Sequence, residues 1–168
     1  MLALVKDRGA VMVSATGQRV PSKPLTCKDA GGTGGKYFDD TSLVKDGQVL
    51  TKITLCSDER LDGIGYMIAP DRAVFHGSRR NCKVYDLESN EHITSYELHI
   101  ANMNDPGSRR IGYIMLSSTK KHTFAAGRVQ KQTDNSIVCP APAGQRLGGF
   151  SGLAADEVDA LTPIWKPI

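Results

Sequence analysis

Thr51-Lys52-Ile53-Thr54-Leu55-Cys56 places the apolar residues Ile53 and Leu55 two positions apart, with polar residues between them. That is the period of an extended strand, whose successive side chains point to opposite faces, and not the 3.6-residue period of a helix. The same rhythm returns on both sides. Ile64, Tyr66 and Ile68 share a face within the stretch 63–69; Tyr96, Leu98 and Ile100 alternate with Ser95, Glu97 and His99; Tyr113 and Met115 oppose Ile114 and Leu116. Such strands bury one face and expose the other, as antiparallel sheets do. Turn formers recur about every ten residues, the spacing of an all-β domain built from many short strands: Asp62-Gly63, Pro70-Asp71, His76-Gly77, Ser89-Asn90, Asp105-Pro106-Gly107, Asp134-Asn135 and Pro140-Ala141-Pro142. This pattern alone does not choose among a sandwich, a barrel and a prism. The stretch 154–161 has a helix-compatible composition, but Gly152 and Pro163 confine it.

The totals fit one globular domain with a short N-terminal extension. The chain has 168 residues, 40% of them hydrophobic and 23% charged, too apolar for a disordered chain. A net charge of +3 is weak, and Arg79-Arg80, Arg109-Arg110 and Lys120-Lys121 are isolated pairs, so nucleic acid is not an expected partner. No apolar run approaches the roughly 18 residues of a membrane helix, so membrane insertion is not expected either. Met1 to Val5 is apolar but is interrupted by Lys6, which makes a poor signal-peptide core. Residues 1–26 read as the extension. Within it, the stretch 9–13 suits a short strand, and Pro21-Ser22-Lys23-Pro24 breaks regular structure. Cys27, Cys56, Cys82 and Cys139 form no C-x-x-C motif and allow three disulfide pairings or none.

Several catalytic motifs fail at specific residues. Gly35-Lys36 would belong to a phosphate loop only with glycine at Ala30 and a hydroxyl beside the lysine in place of Tyr37, which also stands where a dinucleotide loop needs its third glycine. Ser151 lies one residue short of a G-x-S-x-G elbow. His76, His92, His99 and His122 lack metal-ligand spacing, and Asp156, Glu157 and Asp159 are too few oxygen donors for a calcium loop. No enzyme activity is expected.

Other motifs match in order. Gly34-Gly35-Lys36-Tyr37-Phe38-Asp39-Asp40 resembles the opening G-G-x-x-F-D-D of jacalin-related lectins. The hairpin from Val49 to Ile68, His76-Gly77, the strand from Leu87 to Tyr96 with Glu91 and Ile93, and Ile111 to Thr119 resemble the family's following segments. Most specific is Leu147-Gly148-Gly149-Phe150-Ser151-Gly152 leading to Val158-Asp159-Ala160-Leu161, similar to the family's closing G-F-x-G-x-x-G-x-x-(L/V)-D-x-(I/L). The ending looks closer to microbial and oomycete members than to plant seed lectins. The resemblance covers residues 31–168 and implies a jacalin-type lectin domain over residues 27–168. Its implied fold is a β-prism I, three four-stranded Greek-key sheets about a pseudo-threefold axis. There the first and last strands share a sheet, and the glycine loop lies beside the C-terminal hairpin loop.

The resemblance also implies a function: binding of neutral mono- or oligosaccharides, of mannose/glucose or galactose type, without catalysis, metal or organic cofactor. The family's G-x-x-x-D falls on Ala155-Asp156-Glu157-Val158-Asp159. Asp159 would accept bonds from two sugar hydroxyls, the amides of Asp156 and Glu157 would donate, and the Gly34-Gly35 turn would add a backbone contact. Ser108 and Arg109 fall at the family's third contact region. Two features depart from the pattern. Ala155 replaces the motif's glycine, which would strain the loop if the position needs positive φ. Asp156 and Glu157 bring extra negative charge, which disfavours anionic sugars. The loop 76–79 is a candidate for a second site but carries no aspartate in matching register. A secreted or extracellular protein is expected, with a cytoplasmic one the alternative; a shallow site of about millimolar affinity would need several sites or a homo-oligomer to be useful. The alternative is a protein-interaction module on the same fold with a degenerate sugar site.

Overall fold

In the computed structural model, residues 11–13, 19–21, 27–28, 30–130 and 135–168 are described. Val11–Val13 (β1) pairs antiparallel with Arg19–Pro21 (β2), so the described part of the strand expected at 9–13 is a strand; residues 9, 10 and 22–24 lie outside the described residues. The rest is three four-stranded antiparallel sheets. The first is ordered β7-β6-β5-β8, from Leu50–Ser57 (β5), Leu61–Ile68 (β6), Arg72–Gly77 (β7) and Cys82–Asp86 (β8). The second is β11-β10-β9-β12, from Ile93–Ala101 (β9), Arg110–Ser118 (β10), Thr123–Gly127 (β11) and Ser136–Pro140 (β12). The third is β3-β14-β13-β4, from Ala30–Gly31 (β3), Lys36–Asp39 (β4), Gln145–Ala154 (β13) and Val158–Pro167 (β14). A 3-10 turn spans Pro106–Ser108. This is the β-prism, and the stretch 154–161 is a strand end, a turn and a strand.

The alternation predicted from sequence supplies the core. Ile53, Ile64, Ile68, Tyr96, Leu98, Ile100, Ile114 and Leu116 are inaccessible or nearly so, whereas Tyr113 and Met115 on the other face of β10 are partly exposed. Each sheet turns its central hairpin inward, so β5/β6, β9/β10 and β13/β14 wall one core while the outer strands are more exposed. Two disulfides close the structure: Cys56–Cys82 joins register partners on β5 and β8, and Cys27–Cys139 ties the segment before β3 to β12.

The pseudo-threefold repeat is visible at one end of the prism. In each sheet a positive-φ glycine on an edge strand faces the start of a central strand: Gly31 (φ 133°), Gly77 (φ 90°) and Gly127 (φ 87°). A Cβ on these glycines would stand 2.1–2.2 Å from the carbonyl oxygens of Asp159, Asp62 and Gly112, a contact only glycine permits. The next residue of each edge connection donates its N–H to the same carbonyl: Gly32 to Asp159 (2.7 Å), Ser78 to Asp62 (2.9 Å) and Arg128 to Gly112 (2.9 Å). Asp159, Asp62 and Gly112 are therefore equivalent positions, and so are the residues two places earlier, Glu157, Arg60 and Arg110.

Candidate functional site

The third sheet brings β3 and β4 together with β13 and β14, more than a hundred residues later in the chain. Ala30 and Gly31 pair with Leu161 and Ala160, and Lys36 to Asp39 pair with Ala154 to Ser151. The glycine turn between β3 and β4 consequently meets the turn between β13 and β14. A cavity of about 340 Å³ lies where they meet, lined by Gly34, Gly35, Arg60, Arg110, Ala155, Asp156, Glu157 and Asp159. Six of these residues, Gly34, Gly35, Ala155, Asp156, Glu157 and Asp159, were sequence candidates more than a hundred positions apart.

Asp159 forms the floor. It is 4% exposed, and a Cβ on Gly34 or Gly35 would lie 2.8 Å from its Oδ1 or Oδ2 respectively. The glycines thus let the turn close down onto the carboxylate. Burial raises the Asp159 pKa above its ordinary value; Arg110 opposes this, Glu157 adds to it, and Arg60 opposes it more weakly. The Nε of Arg110 lies 3.0 Å from Asp159 Oδ1 and 3.2 Å from Glu157 Oε2. The Nη2 of Arg60 lies 3.0 Å from Glu157 Oε1. Arg60, Glu157 and Arg110 occupy equivalent places in the three sheets, so their side chains meet as an Arg–Glu–Arg cluster at the end of the prism.

These arginines were missed by the sequence reading. Each immediately precedes an apolar central-strand residue, Leu61 or Ile111, as Glu157 precedes Val158; an internal alignment of the three sheets would have exposed them. They change the electrostatics, because both oxygens of Glu157 are matched by guanidinium groups, leaving Asp156 and the half-shared Asp159 as the negative charges of the pocket.

Ser108 and Arg109 fall elsewhere. Arg109 donates from Nε to the Met103 carbonyl at 3.0 Å, and its own carbonyl accepts from Arg110 Nη1 at 2.7 Å. Arg110, one residue on, reaches the pocket instead. Ser108 lines a separate cleft of about 680 Å³ with Asn102, Asp105 and Gln130. Ala155 carries no positive φ: among the described residues the non-glycines in that region are Asn81, Asn90, Asn102 and Lys121. Its methyl group therefore brings no left-handed strain. The loop 76–79 does face an aspartate in matching register, Asp62, contrary to the sequence reading, because the equivalent carboxylate comes from β6 and not from the loop itself.

The histidines serve other purposes. His76 Nε2 lies 2.9 Å from Oδ1 of buried Asp40, which also accepts from Tyr66 at 2.7 Å. His122, Glu88 and Glu91 offer ligand atoms within 4.8 Å of one another, but Glu91 accepts from Ser118 Oγ and the Glu88 amide and contacts His122, while Lys120 pairs with Glu88. These bonds make the group a turn-fixing network.

Residues 27–163 match the family model described as a jacalin-like lectin domain. A curated relative, the Secreted RxLR effector protein 19 of Plasmopara viticola, is 35% identical over 147 residues, covering 84% of this chain and 81% of that one. Among solved structures, artocarpin complexed with methyl α-mannose superposes with a TM-score of 0.68 at 18% identity, covering 86% of this chain and 99% of that one. A mannose-binding jacalin-related lectin from Ananas comosus gives a TM-score of 0.65 at 17% identity, covering 82% and 94%. With its prism, its repeated strand starts and β3 paired with β14, this chain belongs to the jacalin-like lectin domain family.

Proposed function

We propose that this protein is a non-catalytic carbohydrate-binding lectin whose site is the pocket between the glycine turn and the β13–β14 turn, and that it takes neutral glycans of mannose/glucose or galactose type. One observation carries the reading: a buried carboxylate, Asp159, is set against two glycines in a small cavity bordered by backbone turns. A neutral sugar must exchange its water shell for directed hydrogen bonds, and a carboxylate with nearby amides provides acceptors and donors in fixed positions. Mannose-type ligands are favoured because structural neighbours are described as mannose-bound or mannose-binding. In this reading residues 27–168 are the lectin domain and residues 1–26 an extension. Work outside the cell is supported by the secreted relative and by the two disulfides, which persist in oxidising compartments.

Titration of the protein with methyl α-mannoside and a neutral glycan array tests this. Binding that falls at least about tenfold in Asp159→Ala, the loss of one charge-assisted bond, supports the reading; silence across neutral sugars ends it. The alternative, a protein-interaction module, draws on the engagement of Asp159 Oδ1 and both Glu157 oxygens by arginines, which leaves fewer acceptors for a sugar. Capture of a defined protein partner by both wild type and Asp159→Ala, with no sugar bound, is the result that favours it.

A further inference from the structure

Asp159 lies on β14, but the cation that meets it is not from its own sheet. Arg110 begins β10 of the second sheet and reaches across the end of the prism to Asp159 Oδ1. Its guanidinium is itself fixed, with Nη1 on the Arg109 carbonyl at 2.7 Å and Nε shared with Glu157 Oε2 at 3.2 Å. Glu157 is held from the other side by Arg60 of the first sheet. The three sheets therefore lock one another through this cluster, and the cluster ends on the carboxylate at the floor of the pocket.

We infer that Arg110 is the positioning residue of the pocket: by engaging Oδ1 it fixes the carboxylate plane so that Oδ2 stays against Gly35, and it keeps this buried acid charged and able to accept a ligand's hydroxyl. The geometry requires such a residue. A carboxylate that is 4% exposed has lost most of its hydration, and removal from water favours its neutral form. A protonated Asp159 would offer a donor where the ligand needs an acceptor. The charged groups facing Asp159 are Arg110 from β10, Glu157 and Asp156 from the β13–β14 turn, and Arg60 from the β5–β6 turn; residues 31–35 add none. Of the two cations only Arg110 touches Asp159; Arg60 contacts Glu157 and acts on Asp159 from a greater distance and more weakly.

This inference rests on the saccharide reading only for its binding arm, so the experiment has two. In the first, the Asp159 side-chain carboxyl is titrated by carbon-detected NMR in ligand-free wild type, Arg110→Met and Arg110→Lys. Loss of the guanidinium should raise the midpoint by about one pH unit, the effect of removing an adjacent opposite charge, and lysine should restore most of it. In the second, methyl α-mannoside affinity is measured across pH. Arg110→Met should weaken binding about tenfold, the fold-change expected for one lost charge-assisted contact, with its acid limb moved upward by the same interval. Arg110→Lys should keep the wild-type acid limb yet bind more weakly, because a point charge does not reproduce the fixed guanidinium plane.

An unchanged Asp159 midpoint in Arg110→Met overturns the inference, as does sugar binding by that variant with wild-type affinity and pH profile. If the midpoint moves as expected while wild type binds no sugar, the positioning role stands and the lectin reading falls. If Arg110→Met does not fold, wild-type affinity in Arg110→Lys is the overturning result.

Discussion

Asp62 and Asp159 stand at equivalent positions of two sheets, each accepting an edge-strand N–H at its carbonyl, yet their carboxylates have opposite fates. Asp159 meets Arg110, whereas Asp62, 5% exposed, has an Oδ2 without a hydrogen-bond partner. The equivalent of Arg110 beside Asp62 is Glu157, a like charge.

The first prediction concerns that orphaned oxygen. Burial raises the Asp62 pKa above its ordinary value, only partly opposed by the Asp58 amide. An acid whose folded pKa lies above its unfolded one is favoured in the protonated state. Its contribution to stability therefore declines as pH climbs from the unfolded pKa through the folded one, and stays low above that. Asp62→Asn should raise the melting midpoint at pH 7 by about 2–4 °C, equivalent to about 1 kcal/mol in a domain of this size. The gain should vanish at pH 3. Calorimetry at the two pH values checks both statements.

Glu91 has the opposite sign. It is 2% exposed; burial pushes its pKa up, but bonds from Ser118 Oγ (2.5 Å) and the Glu88 amide (2.8 Å), with His122 Nδ1 at 2.8 Å, outweigh burial and hold it below its ordinary value of 4.5. Its stabilisation is present above the unfolded pKa and disappears as pH falls through the folded one. Glu91→Ala should cost about 1.5–3 kcal/mol at pH 7 in urea unfolding, the worth of hydrogen bonds to a charged group. Glu91→Gln should cost less and flatten the acid limb of stability.

At Ala155 the expected effect is small. Because the residue is not left-handed, Ala155→Gly relieves no strain and only frees the unfolded chain. It should lower stability by about 0.4–1 kcal/mol and leave methyl α-mannoside affinity within about twofold. A marked gain in either would show that the alanine had been a defect.

Gly35 should be intolerant. Its φ is +81°, and a Cβ there would lie 2.8 Å from Asp159 Oδ2 and 2.9 Å from the Ala154 backbone. Gly35→Ala should cost about 1–3 kcal/mol, push the carboxylate aside and abolish saccharide binding, whereas Gly47→Ala, with φ also +81° but open space around it, isolates the backbone cost alone. Paired melting curves and titrations separate the two effects.

The two disulfides should differ in weight. Loop-closure entropy gives about 3.5 kcal/mol for Cys56–Cys82 and about 5 kcal/mol for Cys27–Cys139, since the enclosed separations are 26 and 112 residues. Serine pairs at each position, compared by denaturant unfolding, should reproduce that order.

The sequence made the central strands legible because their burial is one-sided. Ile53, Leu55, Tyr96, Leu98 and Ile114 announce themselves by alternation, while β7 has no fully buried residue and β8 is mostly exposed, so both offer little contrast. In the pocket, the residues readable from sequence were those on the two turns that the family resemblance names. Arg60 and Arg110 carry no local motif; only an alignment of the three sheets with one another marks them, because their role comes from the packing of those sheets. Arg109 ends the 3-10 turn and holds the Met103 carbonyl, whereas Arg110 opens β10 and reaches the pocket, so a shift of one position exchanges loop for pocket. The cysteine pairing stayed open because spacing restricts it too little.

The pairing of β3 with β14 has a consequence for biosynthesis. Gly34 and Gly35 leave the ribosome more than a hundred residues before Asp159, so no nascent fragment that stops short of β14 can possess the cavity. Ligand capture would therefore report synthesis as far as β14. A circular permutant that joined β14 directly to β3 and opened elsewhere would carry both turns on one contiguous segment, bringing them together without waiting for the strands between.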